Sequence, residues 1–104
     1  MAVNRGRSQF QGLFSEMWAV SETVDFANAA TGSGTFASAD VTVPGVALGD
    51  IVMGISAGVD TVDTVIGGAV TAANTVTLTV LNNTAGAVNL ASTTLKFVVA
   101  RPAF

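Results

Sequence analysis

The stretch that most constrains the fold is Val41-Thr42-Val43-Pro44-Gly45-Val46-Ala47-Leu48-Gly49-Asp50-Ile51-Val52-Met53. Upstream of Pro44, Ala37, Ala39, Val41 and Val43 alternate with Ser38, Asp40 and Thr42. A period of two puts the first set on one face of a sheet and the second on the other. Pro44 has no N–H for a ladder and drives Val43 toward extended geometry, so the strand stops there. Gly45 and Gly49 can take positive φ at little steric cost. Asp50 follows Gly49 and precedes an apolar strand, so its carboxylate is placed to accept backbone N–H bonds and fix the turn. On that local role alone, Asp50→Ala lowers stability by about 1 kcal/mol. Pro44, Gly45, Gly49 and Asp50 are therefore expected to shape a turn and to do no chemistry.

The same grammar recurs downstream. Residues 50–56 read as a strand with Ile51, Met53 and Ile55 on one face and a bulge or close approach at Gly54. Residues 61–71 read as a long strand, bent or bulged at Gly67 and Gly68. Ala72-Ala73-Asn74 is a short hairpin turn, with Asn tolerating the left-handed region. In residues 75–81, Val76, Leu78 and Val80 oppose Thr75, Thr77 and Thr79. Residues 93–101 close the pattern with Leu95, Phe97 and Val99 facing inward. Residues 19–26 supply a first strand. Short strands at regular spacing, with no strand–helix–strand alternation, predict an all-β chain: an antiparallel β-sandwich or small barrel of six to seven strands with an N-terminal arm. The expected division is an arm over residues 1–18 and a β-domain over 19–104.

The arm differs in kind. Residues 1–9 are polar and basic and read as a flexible start, either a frayed terminus or an arm that docks on a partner. Phe10, Leu13, Phe14, Met17 and Trp18 then recur at the spacing of one helical face and include three of the chain's seven aromatics. Gly12 and the shortness of the segment make an isolated helix marginal, so an extended arm is a live alternative. Either the segment covers the end of its own sandwich, or it inserts large apolar groups into a neighbouring subunit, as Trp and Phe do at interfaces.

Composition narrows the function classes. Among 104 residues, 11% are charged, against about 25% in ordinary domains. A charge-poor surface suits a subunit covered by neighbours. Four cations stand against seven anions and form no basic patch, which argues against nucleic-acid binding. The absence of Cys and His removes thiol chemistry, disulfides, histidine acid–base catalysis and the usual zinc sites. No apolar run reaches the roughly 18 residues of a spanning helix, and polar residues interrupt any signal-peptide core, so synthesis in a cytoplasm without membrane association is expected. No cofactor is implied. Asp60 and Asp63, with Asp50, are the nearest approach to a carboxylate or calcium cluster, but they lack a ligand loop of known spacing. Catalysis would require Asp60 and Asp63 to converge with Glu22 or Asp25. Asn82-Asn83-Thr84 matches a glycosylation acceptor, read as chance without a secretion signal.

The segment Val41 to Asp50, together with Val70-Thr71-Ala72-Ala73-Asn74-Thr75-Val76-Thr77-Leu78-Thr79-Val80, the Asn82-Asn83-Thr84-Ala85-Gly86 run and the closing Arg101-Pro102, resembles small virion proteins of tailed bacteriophages, including capsid decoration (cement) proteins. The likeness runs from about residue 20 onward and leaves out residues 10–18. It implies a non-enzymatic structural protein on the capsid surface. The implied partners are the major capsid protein and identical subunits, as dimers or trimers, and the implied effect is reinforcement of the shell. Similar domains also occur in tail and fibre proteins, so the alternative is a tail- or fibre-associated module that recognises host-surface carbohydrate.

Overall fold

The computed structural model describes residues 2–6, 13–26, 35–61, 64–82 and 92–104. Among them are seven strands and no helix: β1 (Ala2–Gly6), β2 (Phe14–Val24), β3 (Thr35–Thr42), β4 (Ile51–Ala57), β5 (Val65–Ala72), β6 (Thr75–Asn82) and β7 (Thr93–Pro102). They form two antiparallel sheets, one ordered β1-β2-β7-β4 and the other β3-β6-β5. The fold class is all-β and sandwich-like, as the alternation predicts.

The inward residues follow that alternation. Val41, Val76, Leu78, Val80, Leu95, Phe97 and Val99 are all buried in one core with Trp18 and Val20. Burying a Val, Leu or Phe side chain contributes about 1.5–3 kcal/mol, so this shared core holds the two sheets together. At Gly68, a Cβ would lie 2.9 Å from Leu78 Cδ2 and 3.3 Å from Ile55 Cδ1 and Val52 Cγ1. The missing side chain lets β4 of one sheet close on β5 of the other.

Five local expectations need correction. The boundary after residue 18 falls inside β2, and residues 2–6, read as a flexible start, pair with β2 from Ala2↔Ser21 to Gly6↔Met17. The helical spacing of residues 13–18 gives way to the strand because Trp18 pairs with Val99 and is fully buried. The bulge expected at Gly67 and Gly68 is absent there: their register with β6 is continuous, and the slip comes between Val70 and Ala72. Finally, Ile51, Met53 and Ile55 do not share a face. Gly54 takes φ +56°, and the register with β7 slips between Met53 and Ser56. That bulge changes the phase of the strand, so Ile55 packs on the core while Ile51 is exposed.

Other readings hold. Gly45 and Gly49 have φ of +97° and +98°, and Asn74 occupies the left-handed region at 62° in the β5–β6 hairpin.

Candidate functional site

The turn over residues 43–50 is tied to the rest of the molecule from three directions. From its own chain, the Ala47 N–H donates to Asp50 Oδ2 at 2.9 Å, the carboxylate-fixed turn expected from sequence. From the β5–β6 hairpin, Asn74 Oδ1 accepts the Gly45 N–H at 2.8 Å, and the Asn74 N–H donates to the Val46 carbonyl at 2.9 Å. From the facing sheet, Trp18 Nε1–H donates to the Pro44 carbonyl at 3.1 Å.

Arg101, near the end of β7, joins these parts. Its Nε and Nη2 donate to the two Asp50 oxygens at 3.0 and 2.9 Å, and Nη2 also donates to the Gly45 carbonyl at 2.9 Å. Nη1 reaches Glu16 Oε2 at 3.3 Å. The guanidinium lies over the Trp18 ring, 5.1 Å from its centroid, a distance at which cation–π attraction operates. The Asp50 side chain is only 4% exposed. Burial by itself pushes its pKa up. The Arg101 hydrogen bonds, the Ala47 N–H and the Arg101 charge outweigh that, and the carboxyl is held below the ordinary aspartate range. An anion so fully engaged is neither a free general base nor a cation ligand, so this network positions the turn.

The sequence reading picked out Asp50 but missed Arg101 and Glu16. A signal for Arg101 exists: it continues the inward series Leu95, Phe97, Val99 by the same period of two. A cation on the core-facing side of a strand requires a carboxylate beside it.

The expected arm residues separate in the structure. Phe10 lies outside the described residues. Trp18 is 0% exposed in the chain's own core and so cannot serve as an anchor in a neighbour. Phe14 is half-buried opposite Pro102. Met17 is half-buried on the outer face of the four-stranded sheet. Leu13 is exposed, and its carbonyl accepts the Ala103 N–H at 2.8 Å, which sets it close to Phe104. Of the acidic residues considered for chemistry, Asp63 lies outside the described residues. Among the described residues, no three carboxylates gather where a metal ion could be held.

What the strands do assemble is an apolar surface. On the outer face of the four-stranded sheet, Met17 and Ile51 flank the fully buried Ala100 in one row, and Ala19, Val98 and Met53 stand in the next. The row Ser21, Lys96 and Ser56 bounds them on one side. Near Arg101 in the structure or the chain, Leu48 and Phe104 are also exposed, at 71% and 86%. Singly exposed apolar residues are ordinary, whereas a contiguous apolar set rimmed by polar residues marks an interaction surface.

Comparison of the chain with protein-family models, with curated proteins and with solved structures finds no match.

Proposed function

We propose that this chain is a non-enzymatic structural protein of a tailed-phage virion, which decorates and reinforces the capsid by docking on the major capsid protein and on sister subunits. The observation that carries the proposal is the apolar outer face of the four-stranded sheet, together with the exposed Leu48 and Phe104. The likeness of the 41–50 turn and the later strands to virion proteins supplies the kind of assembly, and the charge-poor composition suits a covered surface. In this reading the docking groups are Met17, Leu48, Ile51, Met53, Val98 and Phe104. The Arg101 network fastens the loop that carries Leu48 to β7. Each contact is small, and repetition over a lattice converts weak single-site binding into stable occupancy.

The test is co-sedimentation with capsid shells of the phage that encodes the chain. Wild type is expected to pellet with shells, and the double variant Leu48→Asp with Ile51→Asp to stay in the supernatant while keeping the circular dichroism spectrum of a folded β protein. Undiminished capsid occupancy by that variant overturns the docking face. Specific binding on a glycan array, with no binding to shells, replaces this reading by carbohydrate recognition.

A further inference from the structure

Among the described residues, the two sheets leave four strand edges, at β1 and β4 in one sheet and at β3 and β5 in the other. Open edges recruit other strands unless short length, charge, proline or a bulge blunts them. β1 has five residues and includes Arg5. β3 includes Asp40, whose carboxylate accepts the Thr77 hydroxyl on the outer face. β4 is broken by the Gly54 bulge. β5, the eight residues Val65–Ala72, has neither charge nor proline, and its one register slip lies at its end, between Val70 and Ala72, beside the hairpin turn. Its register with β6 is even from Val65 to Val70.

A second observation falls on the same strand. Gly68 has a reason inside the subunit, because a Cβ there would press on the side-chain ends of Leu78, Val52 and Ile55. Gly67 has no such reason. A Cβ at Gly67 would meet nothing within 4 Å, and Gly67 is not among the glycines with positive φ. A strand glycine costs roughly 0.5–1 kcal/mol relative to alanine, and one with open space around it in a regular stretch leaves room for another backbone to approach closely.

We infer that β5 pairs antiparallel with β5 of a second copy about a two-fold axis near Gly67 and Gly68, joining two three-stranded sheets into one of six. The occupant follows from the chemistry of the edge. A row of backbone donors and acceptors with small uncharged side chains fits an extended uncharged strand, and β5 is itself such a strand. The antiparallel sense follows from charge. Asp60 precedes β5, and antiparallel pairing sends the two copies of Asp60 to opposite ends of the joint, where parallel pairing would bring them together. A two-fold contact of one edge with itself closes at a dimer. This deepens the sister-subunit part of the proposed function and uses a different surface from the capsid-docking face.

The chain has no cysteine, so single cysteines report the joint without background. Val65→Cys, Gly67→Cys, Ala69→Cys and Thr71→Cys place a thiol at exposed positions on the outer side of β5. Ser38→Cys and Thr42→Cys do so on β3. Under mild oxidation, disulfide-linked dimer is expected to peak at one β5 position, fall away on either side, and stay at background on β3. By light scattering, wild type is expected to be a dimer at high micromolar concentration. Ala69→Lys sets like charges near one another across the axis; it is expected to raise the dissociation constant at least tenfold with no loss of melting temperature in dilute solution. A wild-type monomer at that concentration, or equal cross-linking from β3 and β5, overturns the proposal. Capsid co-sedimentation by such a monomer would leave the docking reading standing, so the two failures are distinguishable.

Discussion

Arg101 and Asp50, 51 residues apart in sequence, meet through two hydrogen bonds of 3.0 and 2.9 Å from the guanidinium edge. The pair fastens the turn after β3 to the last strand of the other sheet. Asp50 is nearly fully covered while the Arg101 side chain is 32% exposed, so removing the carboxylate strips a partly buried cation of its main partner. Asp50→Ala is expected to cost about 2–3 kcal/mol, well above the loss of one turn hydrogen bond. Urea denaturation of the two proteins checks it, and a difference below about 1 kcal/mol would show the turn acting alone.

The same pair sets a pH dependence. The Asp50 pKa in the folded protein lies below its value in the unfolded chain, held there chiefly by Arg101 against the opposing effect of burial. Between those two values the unfolded chain binds the extra proton. The stabilisation is therefore complete at neutral pH and is lost as pH falls below about 4 through the folded-state pKa. Asp50→Asn is expected to be less stable at pH 7 and to lose less stability than wild type between pH 5 and pH 2. Parallel acid-titration curves for the two proteins would contradict this.

Trp18 is the only tryptophan of the chain, and it is fully buried. Its emission is expected to be blue-shifted in the folded protein and to move to the red in one step on unfolding. Trp18→Phe keeps a ring under Arg101 but removes the donor to the Pro44 carbonyl, at a cost of about 1–2 kcal/mol. Trp18→Ala empties the site, at a cost of about 3–5 kcal/mol. A surface-like emission maximum in the native protein would place the indole outside the core.

The adjacent glycines of β5 are expected to respond in opposite ways. Gly68→Val drives methyl groups into Leu78, Val52 and Ile55, and overpacking of this kind costs about 1–3 kcal/mol. Gly67→Ala meets open space and removes unfolded-state freedom, so the subunit is expected to gain up to about 1 kcal/mol. Melting temperatures in dilute solution give the comparison, and equal losses at both positions would refute it.

Much of the fold is legible in the residues because a sheet reads a period of two with little ambiguity. Val76, Leu78 and Val80, or Leu95, Phe97 and Val99, announce their inward face without help from the rest of the chain. The turn at Pro44 to Asp50 is legible for a related reason, since proline, positive-φ glycines and a short carboxylate each act within a few residues. Residues 13–18 are different. Their large side chains fit a helical face, but Trp18 and Val20 also fit a strand, and only pairing with β7 decides between them. The Gly54 bulge likewise changes which side Ile55 faces, and the phase change depends on the partner strand. The Arg101 network was hidden because its members come from β2, the turn and β7, and only tertiary structure brings them together.

The place of β7 in the sheet order has a consequence for how the protein comes to be made. β7 lies between β2 and β4, although it follows both in the chain. The β3-β6-β5 sheet needs only residues up to 82 and can pair while synthesis continues. The larger sheet cannot: until β7 is synthesised, the β1–β2 hairpin and β4 wait with no strand between them and no carboxylate-bound arginine over Trp18. Assembly of that sheet is thus a late event governed by long-range closure, slow by the standards of locally connected folds. During that interval the apolar groups of β2 and β4 are open to the cell. A chain that loses its last strand would lose the centre of the sheet, not its edge.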